Sequence, residues 1–215
     1  EVDNGTAGVP YHTADIKLVV TVIEYDGKIR VAAVHTENEG GTKSDTFENT
    51  YSAGSLTVSK TVNGLLGDKS KEFEFTVTFT SDKEVKSNVT MTGKNDYVSF
   101  TKSGDTYTAS ETFRLTNGQN VTFGNLPYGV SYTVSETADA NYTTKINGIP
   151  STVTHNKHTT SGSINSATAT AAYTNTREGT PDMGVSLDTL PYVLVLALAG
   201  AGLVLMIARK RRVED

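Results

Sequence analysis

Cysteine is absent from the 215 residues, which excludes disulfides, thiol catalysis and cysteine-based zinc sites. Tryptophan is absent too, and only four histidines occur, His12, His35, His155 and His158. Four scattered imidazoles leave little for a histidine-rich metal centre. Basic residues number 19 against 24 acidic ones, a net charge of −5, and this balance argues against nucleic acid as a partner. Hydrophobic residues make up 36% of the chain, below the roughly 45–50% of ordinary globular proteins. No Ser/His/Asp arrangement, phosphate-binding loop or pair of catalytic carboxylates stands out, and no cofactor is implied. Asn4, Asn88, Asn120 and Asn141 begin glycosylation sequons, as chance provides in a Thr-rich chain. His155 and His158, in HNKH, read as a solvated loop rather than as metal ligands.

Threonine is abundant, 34 of 215, and β-branched side chains suit a pleated surface. Period-2 alternation marks the strands. In Lys71–Thr80, Phe73, Phe75, Val77 and Phe79 face one way, and Glu72, Glu74, Thr76, Thr78 and Thr80 the other. Leu56, Val58 and Val62 alternate with Thr57, Ser59 and Thr61; Tyr132 and Val134 alternate with Ser131, Thr133 and Ser135. Ile16, Leu18, Val20 and Val22 form a further apolar face. Asp26-Gly27 offers a tight turn from there into Ile29–His35, and Asn117-Gly118 one between Ser110–Leu115 and Asn120–Phe123. No segment before Leu190 has a convincing 3.6-residue period. The fold class expected is all-β, a sandwich with strands every ten or so residues, with Ser52–Gly54 as a short linker.

The run 190–208, LPYVLVLALAGAGLVLMIA, holds no charge in 19 residues and is followed by Arg209, Lys210, Arg211 and Arg212. A bilayer core takes roughly 20 apolar residues as a helix, and a basic cluster stays on the cytoplasmic side. A transmembrane helix over 190–208, a basic cytoplasmic tail over 209–215 and an extracellular body are therefore expected. An exported body needs a leader, so the 215 residues read as a fragment lacking its front.

Three strands carry a polar residue in the inward phase. Lys60 falls on the Leu56–Val58–Val62 face, Glu136 continues Tyr132–Val134, and Asn175 continues Ala169–Ala171–Tyr173. Regular strands aim all three side chains into the core, where a lone Lys or Glu costs several kcal/mol. Either the strands fray and the side chains escape, or the trio does chemistry. Desolvation favours the neutral forms of Lys and Glu. A neutral amine is a nucleophile, the Asn carboxamide is an acyl electrophile, and a protonated Glu can polarise it and carry protons to the departing ammonia. The product is a Lys–Asn amide, formed once without turnover, so the chain is not an enzyme in the ordinary sense.

SLTVSKTVNG (55–64), VTFGNLPYGVSYTVSET (121–137) and YTNTR (173–177) resemble, in family order, the pilin isopeptide-linkage domain of Gram-positive surface pilins, a relative of Cna-B-like domains. The resemblance implies an Ig-like or Cna-B-like sandwich over 53–177, with a Lys60–Asn175 isopeptide bond and Glu136 as catalytic acid. FENTY (47–51) looks like a second closing strand, so 1–51 read as the C-terminal part of a preceding sandwich of the same kind. Asn49 would be its cross-linking residue and Glu1 its catalytic carboxylate, with the Lys partner upstream. Such an incomplete sandwich should leave apolar surface exposed.

The segment 178–189 reads as a stalk holding Thr180-Pro181-Asp182-Met183-Gly184. With the apolar run and basic tail, this resembles a cell-wall sorting signal read by sortase, whose family pattern is Leu-Pro-x-Thr-Gly. Thr180 and Met183 depart from that pattern, and Met183 stands at the acyl position. The resemblance implies a structural surface protein, a pilin-like subunit at the cell wall. Its partners would be sortase, peptidoglycan, other pilin subunits and possible host ligands, with the membrane reached by the C-terminal helix. Lys43, in the polar stretch ENEGGTKSD, is the candidate polymerisation lysine, ahead of Lys94 and Lys157. Two other functions fit the same features: a monomeric wall-anchored adhesin, or a wall-linked enzyme whose catalytic domain lies upstream.

Overall fold

Successive side chains leave a strand on opposite faces, and that alternation organises the chain. The computed structural model describes residues 2–11, 13–44, 49–179 and 190–211, excepting some side chains of the final helix. In chain order the elements are β1 (Lys17–Tyr25), β2 (Lys28–Glu37), β3 (Ala53–Asn63), β4 (Phe73–Ser81), β5 (Thr90–Met91), β6 (Thr101–Ser103), β7 (Thr106–Leu115), β8 (Asn120–Pro127), β9 (Ser131–Thr137), β10 (Thr143–Ile146), β11 (Ile149–Pro150), β12 (Lys157–Ser163), β13 (Thr168–Thr176) and α1 (Leu190–Arg211). Glu1–Arg177 form one compact unit and Glu178–Asp215 a second.

In the first unit β3 to β13 make two sheets, ordered β11-β10-β13-β3-β8-β5 and β12-β9-β4-β7-β6. The expected all-β sandwich is thus what the chain forms. Leu56 and Val58 of β3, Phe75, Val77 and Phe79 of β4, Phe123 of β8 and Val134 of β9 are buried together. Each such side chain contributes about 1.5–3 kcal/mol through removal from water. The outward residues explain the threonine excess. Thr76, Thr78 and Thr80 of β4 stand between Ser135, Thr133 and Ser131 of β9 and Thr112, Ser110 and Thr108 of β7. Small hydroxyls keep that face wet while retaining strand preference.

The first and last strands of the sandwich, β3 and β13, are parallel neighbours, with Lys60 opposite Tyr173 and Val62 opposite Asn175. The contact is tight at the end: Gly64 has φ +88°, and a Cβ there would meet the Arg177 carbonyl oxygen at 2.2 Å. Only glycine fits that approach.

β1 and β2 pair as a separate two-stranded sheet. Its turn is the one the sequence marks, with positive φ at both Asp26 (54°) and Gly27 (66°), as a two-residue hairpin loop demands. Leu18, Val20, Val22, Ile29, Val31 and Val34 of this hairpin are exposed. The preceding segment crosses to the sandwich: Ala7 N donates to Glu84 O at 2.9 Å, and Glu84 N to Gly5 O at 2.8 Å.

Four local expectations need correction. Asn117-Gly118 does turn the chain, but β7 and β8 lie in different sheets. The turn is a corner held to β3, with Asn117 Oδ1 accepting from Val62 N at 2.8 Å and Gly118 N donating to Lys60 O at 2.9 Å. Ser52–Gly54 is not a free linker, because β3 starts at Ala53 and Ser52 N donates to Gly8 O at 2.8 Å. The closing strand expected over 47–51 is not a strand where it is described, at Asn49–Tyr51; Tyr51 instead turns its hydroxyl to Asn125 Oδ1 at 3.3 Å. The expected membrane span becomes a helix over Leu190–Arg211, and among the described residues no helix is long and apolar enough to cross a membrane.

Candidate functional site

β3 delivers Lys60 into a row otherwise made of Leu56, Val58 and Val62, because its alternation runs unbroken from Gly54 to Val62. β9 delivers Glu136 beyond Val134, and β13 delivers Asn175 beyond Ala171 and Tyr173. The strands do not fray: Lys60 is 1% exposed, Glu136 0% and Asn175 1%. Lys60 and Asn175 come from adjacent strands of one sheet, and Glu136 faces them from the other.

The three side chains meet on one atom. Lys60 Nζ donates to Glu136 Oε1, and Asn175 Nδ2 donates to the same oxygen at 2.8 Å. The other polar atoms of this group, Glu136 Oε2 and Asn175 Oδ1, are buried without a hydrogen-bond partner among the described residues. Two orphaned oxygens in a core are expensive. The aromatic surround is close: Lys60 Nζ lies 4.0 Å from the ring centre of Phe73 and 5.8 Å from that of Phe75.

Burial is the dominant electrostatic influence. It pushes the Lys60 amine down to about 8, against the opposing pull of the Glu136 charge and hydrogen bond. It pushes the Glu136 carboxyl up, against Lys60 and the Asn175 hydrogen bond. Both shifts favour the neutral amine and the neutral acid. The arrangement thus holds a nucleophile, an acyl group and a proton carrier within one water-poor pocket.

Sequence reasoning missed part of this shell. His158 is buried, not solvated; it pairs with Glu136 across β12 and β9, with Nδ1 3.2 Å from Ser151 Oγ. Burial and then the Lys60 charge push its imidazole down. Tyr173 donates its hydroxyl to Val134 O at 2.7 Å, tying the two sheets together beside Glu136, and burial raises its phenol. The β12 sequence KHTTSGS has no apolar alternation, so nothing local marked His158 as inward; Tyr173 was legible only as core.

Other sequence-marked residues lie elsewhere. Asn49 is exposed and outside this cluster. Lys43 is exposed and forms an isolated bridge with Glu37 at the end of β2. Lys94 is paired with Glu111 at 2.5 Å, and Lys157 opens β12. Glu1 and Thr180, Pro181, Asp182, Met183 and Gly184 fall outside the described residues. Among the described residues no group of three or more His, Asp or Glu is placed to hold a metal ion.

The chain is thus a β-sandwich whose parallel first and last strands bring a buried Lys and Asn to a Glu of the facing sheet. Residues 54–177 match the family described as "Domain of unknown function (DUF7601)", and the chain belongs to that family. It is similar to a curated pilin of Streptococcus pyogenes serotype M1, 27% identical over 94% of this chain and 63% of the relative. It is also similar to the pilus tip adhesin Cpa of Streptococcus pyogenes, 29% identical over 62% of this chain and 18% of the relative. The chain therefore spans about 63% of the first relative's length and much less of the second's. Among solved structures, the major pilin of Streptococcus pyogenes superposes with a TM-score of 0.57 at 26% identity, over 83% of this chain and 68% of that one.

Proposed function

We propose that this chain is a structural subunit of a surface pilus, its sandwich locked by an amide between Lys60 and Asn175 that Glu136 catalyses. The observation that carries this is the convergence of Lys60 and Asn175 on one oxygen of a buried Glu136. The neutral Lys60 amine attacks Asn175 Cγ while the Glu136 carboxyl hydrogen-bonds the amide oxygen. The bond from Nζ to Cγ forms, the bond from Cγ to Nδ2 breaks, and a proton from Nζ passes through Glu136 to the departing nitrogen. Ammonia leaves and Glu136 regains its proton, so atoms and charge balance. Intact-mass measurement of the folded 215-residue chain is expected to show the loss of one ammonia; a full mass in folded protein overturns the amide.

The similarity to a pilin supports assembly with other subunits, and the Thr180–Gly184 motif supports transfer by sortase to peptidoglycan or to a neighbouring subunit's lysine, for which Lys43 is the candidate. Residues 1–51 are, in this proposal, the rear of a second sandwich, with Asn49 and Glu1 as its pair. A wall-bound adhesin is the second reading, favoured by the similarity to a pilus tip adhesin. A denaturing gel of extracted wall distinguishes the two: a ladder of heavy bands marks a polymer, a single species the adhesin. Pro181→Ala is expected to remove the ladder and the wall-linked protein together. Wall linkage unchanged in that variant rules out the motif as the sorting site.

A further inference from the structure

The open end of the β1–β2 hairpin carries chemistry of its own. After β2 the chain turns over residues 38–42, and one side chain orders the turn: Asn38 Oδ1 accepts from Gly40 N and from Thr42 N, each at 3.0 Å. Asn38 N donates to Thr42 O at 2.9 Å, and Ser44 N donates to Thr36 O at 3.0 Å. The returning chain therefore lies back along β2, with Lys43 opposite Glu37. Opposite residues of an antiparallel ladder share a face, and long side chains also reach their diagonal neighbours. Lys17 of β1 is opposite Glu37 as well, and His35 precedes Glu37 by two residues on the same strand. One face thus gathers Lys17, His35, Glu37 and Lys43.

Glu37 is already engaged at both oxygens. His35 Nε2 lies 2.9 Å from Oε1, and Lys17 Nζ lies 3.6 Å from Oε2. An ionised carboxylate only accepts, so this contact places the imidazole proton on Nε2 and leaves Nδ1 as the acceptor. The hydrogen bond from His35 holds the Glu37 carboxyl below its ordinary value, and Lys17 adds to the effect, so Glu37 stays charged and keeps the ring turned. Lys17, Lys71, Lys83, Lys86 and Lys94 are each held by a carboxylate, which favours the ammonium form. Lys43 is exposed and enters no ion pair among the described residues. With His35, Leu18 and Val34 it lines a cleft of about 490 Å³. An uncommitted amine, an oriented base and an open cleft are the parts an acyl acceptor needs.

We infer that His35, oriented by Glu37, is the general base that frees the Lys43 amine to attack a peptide acyl thioester seated in this cleft; this rests on the reading of Lys43 as the joining lysine. An ordinary lysine is an ammonium at neutral pH, and an ammonium has no lone pair to offer. His35 Nδ1 takes one proton from Nζ and passes it to solvent. The amine then attacks the acyl carbon: the bond from Nζ to that carbon forms and the carbon–sulfur bond breaks. A second proton leaves Nζ through Nδ1 to the departing thiolate, so the products are an amide and a thiol. His35 acts on the reacting nitrogen and is the catalytic residue, and Glu37 is a positioning residue that acts through it. Leu18 and Val34 give the acyl chain an apolar wall. The other cation on this face, Lys17, is held by Glu37, and Val19, opposite His35 on β1, brings no charge.

The test uses the folded full chain and a small thioester, S-acetyl-N-acetylcysteamine, with peptide mapping of the acetylated lysines. At neutral pH, Lys43 is expected to react at least about tenfold faster than Lys28, an exposed lysine of the same hairpin. His35→Ala should bring Lys43 down to the Lys28 rate, and Glu37→Gln should bring it part of the way. At about pH 10.4, where lysine amines lose their proton unaided, the difference between wild type and His35→Ala should close. Hydrogen exchange at the Ser44 amide, which bonds Thr36 O, checks that the turn survives, and His35→Gln stands in where it does not. A Lys43 no faster than Lys28, or a His35→Ala chain as fast as wild type, overturns the His35 base. So does a difference that persists at high pH, because that marks a steric role. The joining reading fails separately: branched peptides of the wall polymer that map to a lysine other than Lys43 overturn it, whatever the thioester rates.

Discussion

Chains carrying Glu136→Ala are expected to keep their full mass and to unfold at a much lower temperature than wild type. Two losses combine. The loop from Lys60 to Asn175 is no longer closed, and closure of a loop of roughly 100 residues stabilises by about 4–5 kcal/mol in the chain-entropy account. Lys60 also stays in the core without its partner, and breaking a buried pair on one side costs about 3–5 kcal/mol. A unit of this size shifts by about 2–4 °C for each kcal/mol, so calorimetry should record a fall of at least about 10 °C. Glu136→Gln separates the two contributions. It keeps the shape and an acceptor for Lys60 but cannot shuttle the proton, so its mass should also stay full while its melting point lies between the other two. Ammonia loss in either variant would show that Glu136 is not the catalyst. An unchanged melting temperature in Glu136→Ala would show that the wild-type sandwich carries no cross-link.

The position of the proposed bond would give it a mechanical consequence. β3 and β13 run parallel, and Lys60 and Asn175 both sit near their C-terminal ends. Tension applied at Ala53 and at Thr176 would travel along β3, through the amide and out over the last residues of β13. The hydrogen-bond ladders between and beside these strands would be bypassed. A covalent path of this kind suits a subunit that transmits load along a fibre, and it does not depend on which partner sits at either end.

How much of this was legible in the sequence depended on whether the signal was local. Lys60, Glu136 and Asn175 could be singled out because each interrupts an apolar row of settled phase, and the strands remain regular enough to aim all three inward. The turn at Asp26-Gly27 was equally local, since positive φ at two successive residues needs those residue types. Sheet membership was not. Asn117-Gly118 looks the same whether it closes a hairpin or a corner, and only contacts to β3 make it a corner. The pairing of β3 with β13 joins segments more than a hundred residues apart, which periodicity does not encode. His158 stayed hidden because its strand buries little besides that imidazole. FENTY shows the converse: it resembles a closing strand in sequence, but its described residues, 49–51, do not lie in a strand.

Asn175→Ala is expected to gain stability as pH rises from about 8 towards 10.5, relative to wild type. In this variant the amide cannot form, so Lys60 keeps a titratable amine in the core, where burial holds it down to about 8 from its ordinary value of 10.5. Between those two values the unfolded chain binds the proton and the folded chain does not. Stability therefore rises with pH across that window; it is fully present above the unfolded value and lost as pH falls through the folded one. In a wild type carrying the proposed cross-link, the same nitrogen is an amide and does not titrate. The raised carboxyl of Glu136 acts with the opposite sign, losing stability as pH climbs above the ordinary carboxylate range, so it works against the gain wherever the two titrations overlap. Lys71 and Lys83, whose salt partners raise them, lose stability as pH climbs, but do so equally in both proteins. The difference in melting temperature between wild type and Asn175→Ala, followed from pH 7 to pH 11, consequently reports Lys60 together with the opposing contribution of Glu136. A gap that narrows by several degrees across this range is the expected result. A constant gap means that the amine is solvated in the variant or is still an amine in wild type, and either outcome removes the buried Lys60 nucleophile on which the proposed function stands.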